Sequence, residues 1–311
     1  MKVSIIGVGA IGGYVFTKLS SLNNYDLQCV VSPKSALLGG GELYLHTPET
    51  KISAPLKRVT SNYSQIDGEL IFITTKSTQN PEVFPLLQHI KNRTVVVIQN
   101  GIGNEPHLAQ FLHKSNTIIG ATTNIKVTKE LRGKQVTLHN KFNNLNYALY
   151  QSGSESIALE PLFSQLFVEV NQRDSVYQAR FPKLLVNTSC NLASIIHDAC
   201  MQTLSLSSEP RKLIENIAQE VTRVAHAYHV DIAPETIPRL LNKLSTPSFK
   251  GVYFSMKEDF DAGREMEIET IFYNFVALAN MAEVQIPKMK TSLETVLSMI
   301  KQRDQQLEPC T

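Results

Sequence analysis

The sequence predicts an α/β fold in two parts: a doubly wound parallel sheet over residues 1–172 and an all-helical domain over 173–311. Three observations predict it. Short apolar runs alternate with amphipathic stretches through the first half. A glycine-rich turn follows directly on the first apolar run. After Val170 the β pattern fades and apolar residues recur every three or four positions instead, the spacing of amphipathic helices.

The elements follow in order. Val3–Ile6 reads as a strand, Tyr14–Leu22 as a helix and Leu27–Val31 as a second strand. Leu70–Thr75, Thr94–Ile98 and Thr117–Ala121 add three more strands. Their β-branched content favours extended chain, and they are apolar on both faces, as buried parallel strands are. Helical stretches at Pro81–His89 and Glu105–His113 fall between them, the alternation of a parallel sheet covered on both sides. Gln135–Leu138 and Leu145–Tyr150 read as a hairpin-like pair across the polar turn Lys141-Phe142-Asn143-Asn144. The domain boundary falls near Asn171–Ser175.

In the second half Pro182–Asp198 has helical character. Ser207-Ser208-Glu209-Pro210 starts another helix, with capping serines and a proline in the first turn. Its stripe is Leu213, Ile214, Ile217, Val221, Val224 and Tyr228. Ala233-Pro234 opens a helix carrying Ile237, Leu240, Leu241 and Leu244. Glu267–Met281 repeats apolar residues with a helical period, and Pro287 precedes a last helix through Ile300.

Composition narrows the function classes. The 311 residues suit two cores. A net charge of +2, from 30 basic and 28 acidic residues, gives no reason to expect nucleic acid or an acidic membrane surface. No apolar run reaches the roughly 20 residues that span a bilayer. The N-terminal Val3–Gly9 run breaks at glycines, so it is expected to be a strand rather than a signal peptide. Cys29, Cys190, Cys200 and Cys310 form no CxxC pair and no metal-ligand spacing. They read as reduced thiols of a cytoplasmic protein, and no metal is expected.

Gly7-Val8-Gly9-Ala10-Ile11-Gly12 is a GxGxxG turn between the first strand and the first helix. In a βαβ context it is a Rossmann-type dinucleotide fingerprint. Gly7 permits the tight turn, Gly9 lets a pyrophosphate reach the backbone, and Gly12 lets helix pack on strand. The helix N-terminus offers free N–H groups to phosphate. At the end of the second strand an NAD enzyme usually carries a carboxylate for the ribose 2′-OH. Here Val31-Ser32-Pro33-Lys34-Ser35 has none. Ser32 and Lys34 suit a 2′-phosphate, which points to NADPH; a solvated loop with an incidental lysine is the plainer alternative.

Six segments, in order, resemble the ketopantoate reductase family. They are the loop Gly7–Gly13, Ile73-Thr74-Thr75-Lys76-Ser77, Gln99-Asn100-Gly101, Lys183-Leu184-Leu185-Val186-Asn187 with Asn191, Ser255-Met256-Lys257-Glu258-Asp259, and Glu267-Ile268-Glu269. The resemblance implies a Rossmann domain, a helical domain, NADPH, and reduction of 2-dehydropantoate to (R)-pantoate in pantothenate biosynthesis. The small-molecule partner is then a 2-oxo acid. Pairing of helical second domains makes a homodimer an expectation by association only.

Roles follow from the resemblance. Lys76 and Asn100 end parallel strands, where α/β sheets bind ligands, and line the gap between nicotinamide and substrate. Lys76 also reads as an exposed loop lysine, and Asn100-Gly101 as a plain turn. Lys183 is the acid that protonates the ketone oxygen and stabilises its developing charge. Asn187 and Asn191 follow at i+4 and i+8, on the same face, and bind substrate with Ser255. Glu267 orients the Lys183 ammonium; Glu265 and Glu269 lie nearby, and Asp259 follows Ser255 by one turn. A solvated face, a serine cap and surface carboxylates at a helix start are the structural alternatives.

One departure stands out. The family pattern continues E-I-D-x-I-N-G, whereas Phe272 and Tyr273 occupy the Asn-Gly positions here. It motivates a second reading, reduction of another 2-oxo acid with NADPH. A third reading is a non-catalytic, dinucleotide-responsive regulatory protein on the same scaffold.

Overall fold

The computed structural model describes residues 1–130, 133–139, 143–154 and 157–307. The chain divides into two compact units, Met1–Arg180 and Phe181–Thr311.

The first unit opens as a βαβ motif: β1 (Lys2–Ile6), α1 (Ala10–Ser21) and β2 (Asp26–Val30), with β1 and β2 parallel. There follow β3 (Glu42–His46), β4 (Lys51–Pro55), β5 (Val59–Thr60), β6 (Leu70–Ile73), α2 (Asn80–Val83), β7 (Thr94–Ile98), α3 (Asn104–Ala109) and β8 (Thr117–Thr123). Then come β9 (Val127–Lys129), β10 (Gln135–Leu138), β11 (Asn144–Gln151), α4 (Leu159–Leu166) and β12 (Glu169–Gln172). The main sheet has eight strands in the order β12-β11-β8-β7-β6-β1-β2-β5. Its pairings are parallel except for β11 against β8.

Successive residues of a strand face opposite sides, and this sheet is apolar on both. Val3, Ile5, Phe72 and Val96 join Val15 and Leu19 of α1 in one core. Ile6, Ile71, Ile73, Val95 and Val97 join Phe84, Leu87 and Leu108 in the other. That is why β6 and β7 read as unbroken apolar runs.

A second sheet, β4-β3-β10-β9, lies against α1. Leu43, Leu45 and Val136 share the core of Val15 and Leu19. A Cβ on Gly13 would meet Val136 Cγ2 at 2.7 Å, so this glycine sets the approach of helix to sheet.

The hairpin expected between Gln135–Leu138 and Leu145–Tyr150 does not form. β10 pairs with β3 and β9, and β11 with β8 and β12. Val136 is needed to cover α1, whereas Leu145 and Tyr147 pack with Phe163 and the main sheet. The two strands answer to different neighbours. Of the expected turn between them, Lys141 and Phe142 lie outside the described residues.

Two expected helices are shorter than their patterns. Pro81–His89 becomes α2 and a 3₁₀ turn at Phe84–Leu87, because Pro85 has no N–H to donate along an α-helix. α3 gives way after Ala109 to i→i+3 bonds, Gln110 N donating to His107 O and Phe111 N to Leu108 O.

The long helix α5 (Val176–Ile196) has its first turn, through Arg180, in the first unit and the rest in the second. The second unit continues with α6 (Met201–Leu206), α7 (Ser208–Ala227), α8 (Thr236–Leu244), α9 (Ser255–Asp261), α10 (Asn274–Met281) and α11 (Pro287–Leu307). α7 buries Ile214, Ile217, Val221 and Val224 of the predicted stripe, while Leu213 and Tyr228 at its two ends are partly buried. Its buried Glu220 accepts from the backbone N–H groups of Lys288 (2.9 Å) and Met289 (2.8 Å), satisfying the start of α11. The expected Glu267–Met281 helix instead begins as a π turn at Glu269–Tyr273 before α10. Among the described residues no helix is long and apolar enough to cross a membrane.

Candidate functional site

β7, β6, β1 and β2 are consecutive and parallel in the sheet. Their C-terminal ends therefore share one edge, the edge at which open α/β sheets bind ligands. Asn100 follows β7, Lys76 follows β6, the Gly7–Gly12 loop follows β1, and Ser32 and Lys34 follow β2. Four segments distant in sequence come together because the strands run the same way.

The glycine loop is held from several sides. Gly7 has φ +85°, and its N–H donates to Val30 O at 2.9 Å. Thr74 Oγ1 donates to Gly7 O at 2.8 Å, tying the loop to β6. A Cβ on Gly7 would lie 2.5 Å from Thr75 Cγ2, and one on Gly12 would lie 2.4 Å from both Gly7 O and Thr74 Oγ1. No side chain fits at either position. Gly9 is the opposite case: it is exposed, and its Cβ would meet nothing nearer than Gly7 O at 4.0 Å. A backbone open at Gly9, at the start of a 12-residue helix with no acidic residue in its first turn, fits the phosphates of a dinucleotide. Val8 and Gly12 are buried, Ala10 and Ile11 partly buried. Ser32 and Lys34 are exposed on a turn closed by Ser35 N donating to Ser32 O.

Lys76 is exposed at the start of a 3₁₀ turn, and Asn100 is partly buried. Buried amides lock their loops together. Gln99 Nε2 donates to Thr75 O (2.9 Å) and to Asn80 Oδ1 (2.8 Å). Asn80 Nδ2 donates to Asn104 Oδ1 (2.9 Å), and Asn104 Nδ2 donates back to Asn100 O (3.0 Å). Gly101 and Gly103 supply the left-handed turns, φ +83° and +88°. Beneath this loop lies Arg180, 0% exposed. It donates to Gln99 O (2.8 Å) and Gly101 O (3.0 Å), the carbonyls on either side of Asn100, and pairs with the buried carboxylate of Glu105. A guanidinium satisfies such divergent acceptors through its fixed fork of donors.

In the second unit Lys183, Asn187 and Asn191 lie along α5 at one-turn intervals. Lys183 is partly buried, whereas Asn187 and Asn191 are 7% and 3% exposed. Two amides this buried on one face are unlike a solvated stripe. Ser255 is exposed as the first residue of α9, and Asp259 one turn on is buried and accepts from Arg264 Nε at 2.8 Å. Glu267 is partly buried just before the π turn, while Glu265 and Glu269 are exposed. Phe272 is fully buried within that turn and Tyr273 is 44% exposed. A π turn inserts an extra residue into the helical ladder and is common at functional sites.

Sequence reasoning missed Arg180, Gln99, Asn80 and Asn104 as supports of the Asn100 loop, and Lys129, which donates from Nζ to Val8 O at 2.6 Å. One signal was available. Arg180 stands between the apolar residues Ala179 and Phe181, and an arginine drawn into the core with such neighbours needs a partner.

The chain is similar to known proteins along nearly its whole length. The family model described as ketopantoate reductase PanE/ApbA matches residues 3–147, and that of its C-terminal domain matches residues 175–303. The 2-dehydropantoate 2-reductase of Nostoc sp. is 24% identical over 300 residues, covering 93% of this chain and 92% of its own. That of Pyrococcus abyssi is 24% identical over 296 residues, covering 92% and 94%. Among solved structures, a PanE/ApbA family ketopantoate reductase from Ralstonia eutropha superposes with a TM-score of 0.83 at 20% identity, covering 98% of this chain and 100% of that one. A D-mandelate dehydrogenase solved with NADH and anilino(oxo)acetate gives the same TM-score at 21% identity and the same coverage.

Proposed function

Because the chain belongs to the ketopantoate reductase PanE/ApbA family, we propose that it reduces 2-dehydropantoate to (R)-pantoate with NADPH. The observation that carries the reading is the gathering of the glycine loop, Lys76 and Asn100 on one sheet edge, with Lys183, Asn187 and Asn191 in register on α5.

Gly7, Gly9 and Gly12 bring the backbone N–H groups of α1 to the cofactor's phosphates. Ser32 and Lys34 bind the 2′-phosphate, which favours NADPH over NADH. NADPH, when bound, supplies hydride to the keto carbon. Lys76 and Asn100 align nicotinamide and substrate, and their shared amide network fixes that alignment before substrate arrives. Lys183 holds a proton at the keto oxygen and releases it as charge develops there. Glu267 orients the Lys183 ammonium, and Asn187, Asn191 and Ser255 hold the carboxylate and hydroxyl of the substrate.

A second reading, reduction of a 2-oxo acid with a different side chain, draws on one feature. Phe272 and Tyr273 place bulk in the π turn that follows Glu267. Loss of NADPH absorbance with ketopantoate tests the first reading, with Lys183→Ala as the control. Turnover that falls about 10² to 10⁴-fold in the variant supports both the substrate and the proton donor. Faster turnover of an aromatic 2-oxo acid than of ketopantoate moves the assignment to the second reading. Tight NADPH binding with no turnover of any 2-oxo acid favours a regulatory protein instead.

A further inference from the structure

Lys129 is the last residue of β9, and its Nζ rests on the glycine loop at Val8 O. The side chain is partly buried. Burial pulls its pKa below the ordinary lysine range, and the Coulombic influence of Cys29 acts the other way. Among the described residues its hydrogen bond goes to that carbonyl, and no carboxylate forms an ion pair with it.

A desolvated ammonium is costly unless an opposite charge meets it. A carbonyl dipole meets it only in part, and a neutral donor would peg Val8 O as well. The position suggests what completes the arrangement. Gly9, next along the loop, faces open space, and α1 begins there with its N–H groups and no acidic side chain. An anion bound at this loop would find one cation already in place. Lys134, just before β10, donates instead to Gly40 O, two residues before β3, and so pegs its own sheet.

We propose that Lys129 is a cofactor-binding residue, its ammonium lying opposite a phosphate of the dinucleotide at the glycine loop. The inference rests on the dinucleotide reading above and adds to it a residue supplied by the second sheet. Two phosphates could be its partner, the pyrophosphate or the 2′-phosphate, and the dinucleotides themselves tell them apart.

The test is the Kd for NADPH and for NADH, from the fluorescence of the reduced nicotinamide, across a series of salt concentrations. Wild type, Lys129→Gln and Lys129→Arg are compared, with the thermal midpoint as a check on folding. Gln keeps a donor and removes the charge; Arg keeps the charge. The expected result is binding weakened roughly 10- to 100-fold in Lys129→Gln, the range for a charge-assisted hydrogen bond, with a shallower salt dependence and recovery in Lys129→Arg. Equal weakening for both dinucleotides assigns the pyrophosphate, and weakening for NADPH alone assigns the 2′-phosphate. Unchanged affinities in Lys129→Gln overturn the inference. So does weakening with an unaltered salt slope, which marks a structural peg. If wild type binds neither dinucleotide, the dinucleotide reading falls first and this one with it.

Discussion

Replacing Arg180 with methionine keeps most of the side-chain volume and removes the guanidinium from a site with no access to water. The carboxylate of Glu105, 1% exposed, then loses its cation, and the carbonyls of Gln99 and Gly101 lose their donor. Breaking a buried pair from one side costs about 3 to 5 kcal/mol, because a charge is left behind without compensation. The first unit is mid-sized, so that cost corresponds to a midpoint lowered by roughly 6 to 20 °C. Thermal and urea unfolding, followed by far-UV circular dichroism, measure it. The double variant Arg180→Met/Glu105→Leu removes both charges and should recover much of the loss, since buried pairs are often replaceable by apolar groups. A single variant within about 1 kcal/mol of wild type would refute the reasoning, as would a double variant less stable than the single by the full cost of Glu105.

Three further outcomes are expected. Gly12→Ala forces a Cβ to within 2.4 Å of Gly7 O and Thr74 Oγ1, so calorimetric titration with NADPH should detect at least about a 100-fold loss of affinity, near 3 kcal/mol. Glu220→Ala removes the carboxylate that accepts from Lys288 and Met289 at the start of α11 and should cost about 1.5 to 3 kcal/mol in urea unfolding. For Cys200, burial raises the thiol pKa, but hydrogen bonds from the Thr203 hydroxyl and from the N–H groups of Thr203, Gly251 and Gln202 together pull it down to about 7. The thiolate therefore dominates above that pH, whereas burial pushes Cys29 and Cys190 up to about 12. Iodoacetamide labelling read by mass spectrometry should rise at Cys200 as pH passes about 7 and stay low at the other two.

Physical reasons separate what could be read in the sequence from what could not. β1, β6 and β7 are buried on both faces, so each is an apolar run that stands out against its flanks. The strands of the second sheet are covered on one face only. Glu42-Leu43-Tyr44-Leu45-His46 alternates buried and part-exposed residues over five positions, too short a repeat to be distinctive. The pairing of β10 was misread because chain proximity suggested β11, while the choice of partner lay with α1. The glycine loop and the strand-end residues Lys76 and Asn100 were visible because each is tied to a local junction. The Gln99, Asn80 and Asn104 network and Arg180 were not, because their meaning depends on which loops the sheet order makes neighbours. The π turn was hidden for another reason: Ile268, Ile271, Phe272 and Phe275 keep the three- and four-residue spacing of an ordinary helix through it, so nothing in the pattern marks the extra residue.

The sheet order also bears on how the protein is made. β1 leaves the ribosome before the other strands of its sheet, yet it lies inside the eight-stranded sheet, between β2 and β6. β2 follows at once, but Val3 must wait for Leu70 to be synthesised before its second edge is paired. Until then Val3, Ile5 and Ile6, all 0% exposed in the finished molecule, border an open edge of hydrogen-bonding groups. Nascent chains halted before β6 should accordingly bind chaperones and aggregate, and chains released just beyond β7 should do so less. Non-local closure of this kind also makes spontaneous refolding slow.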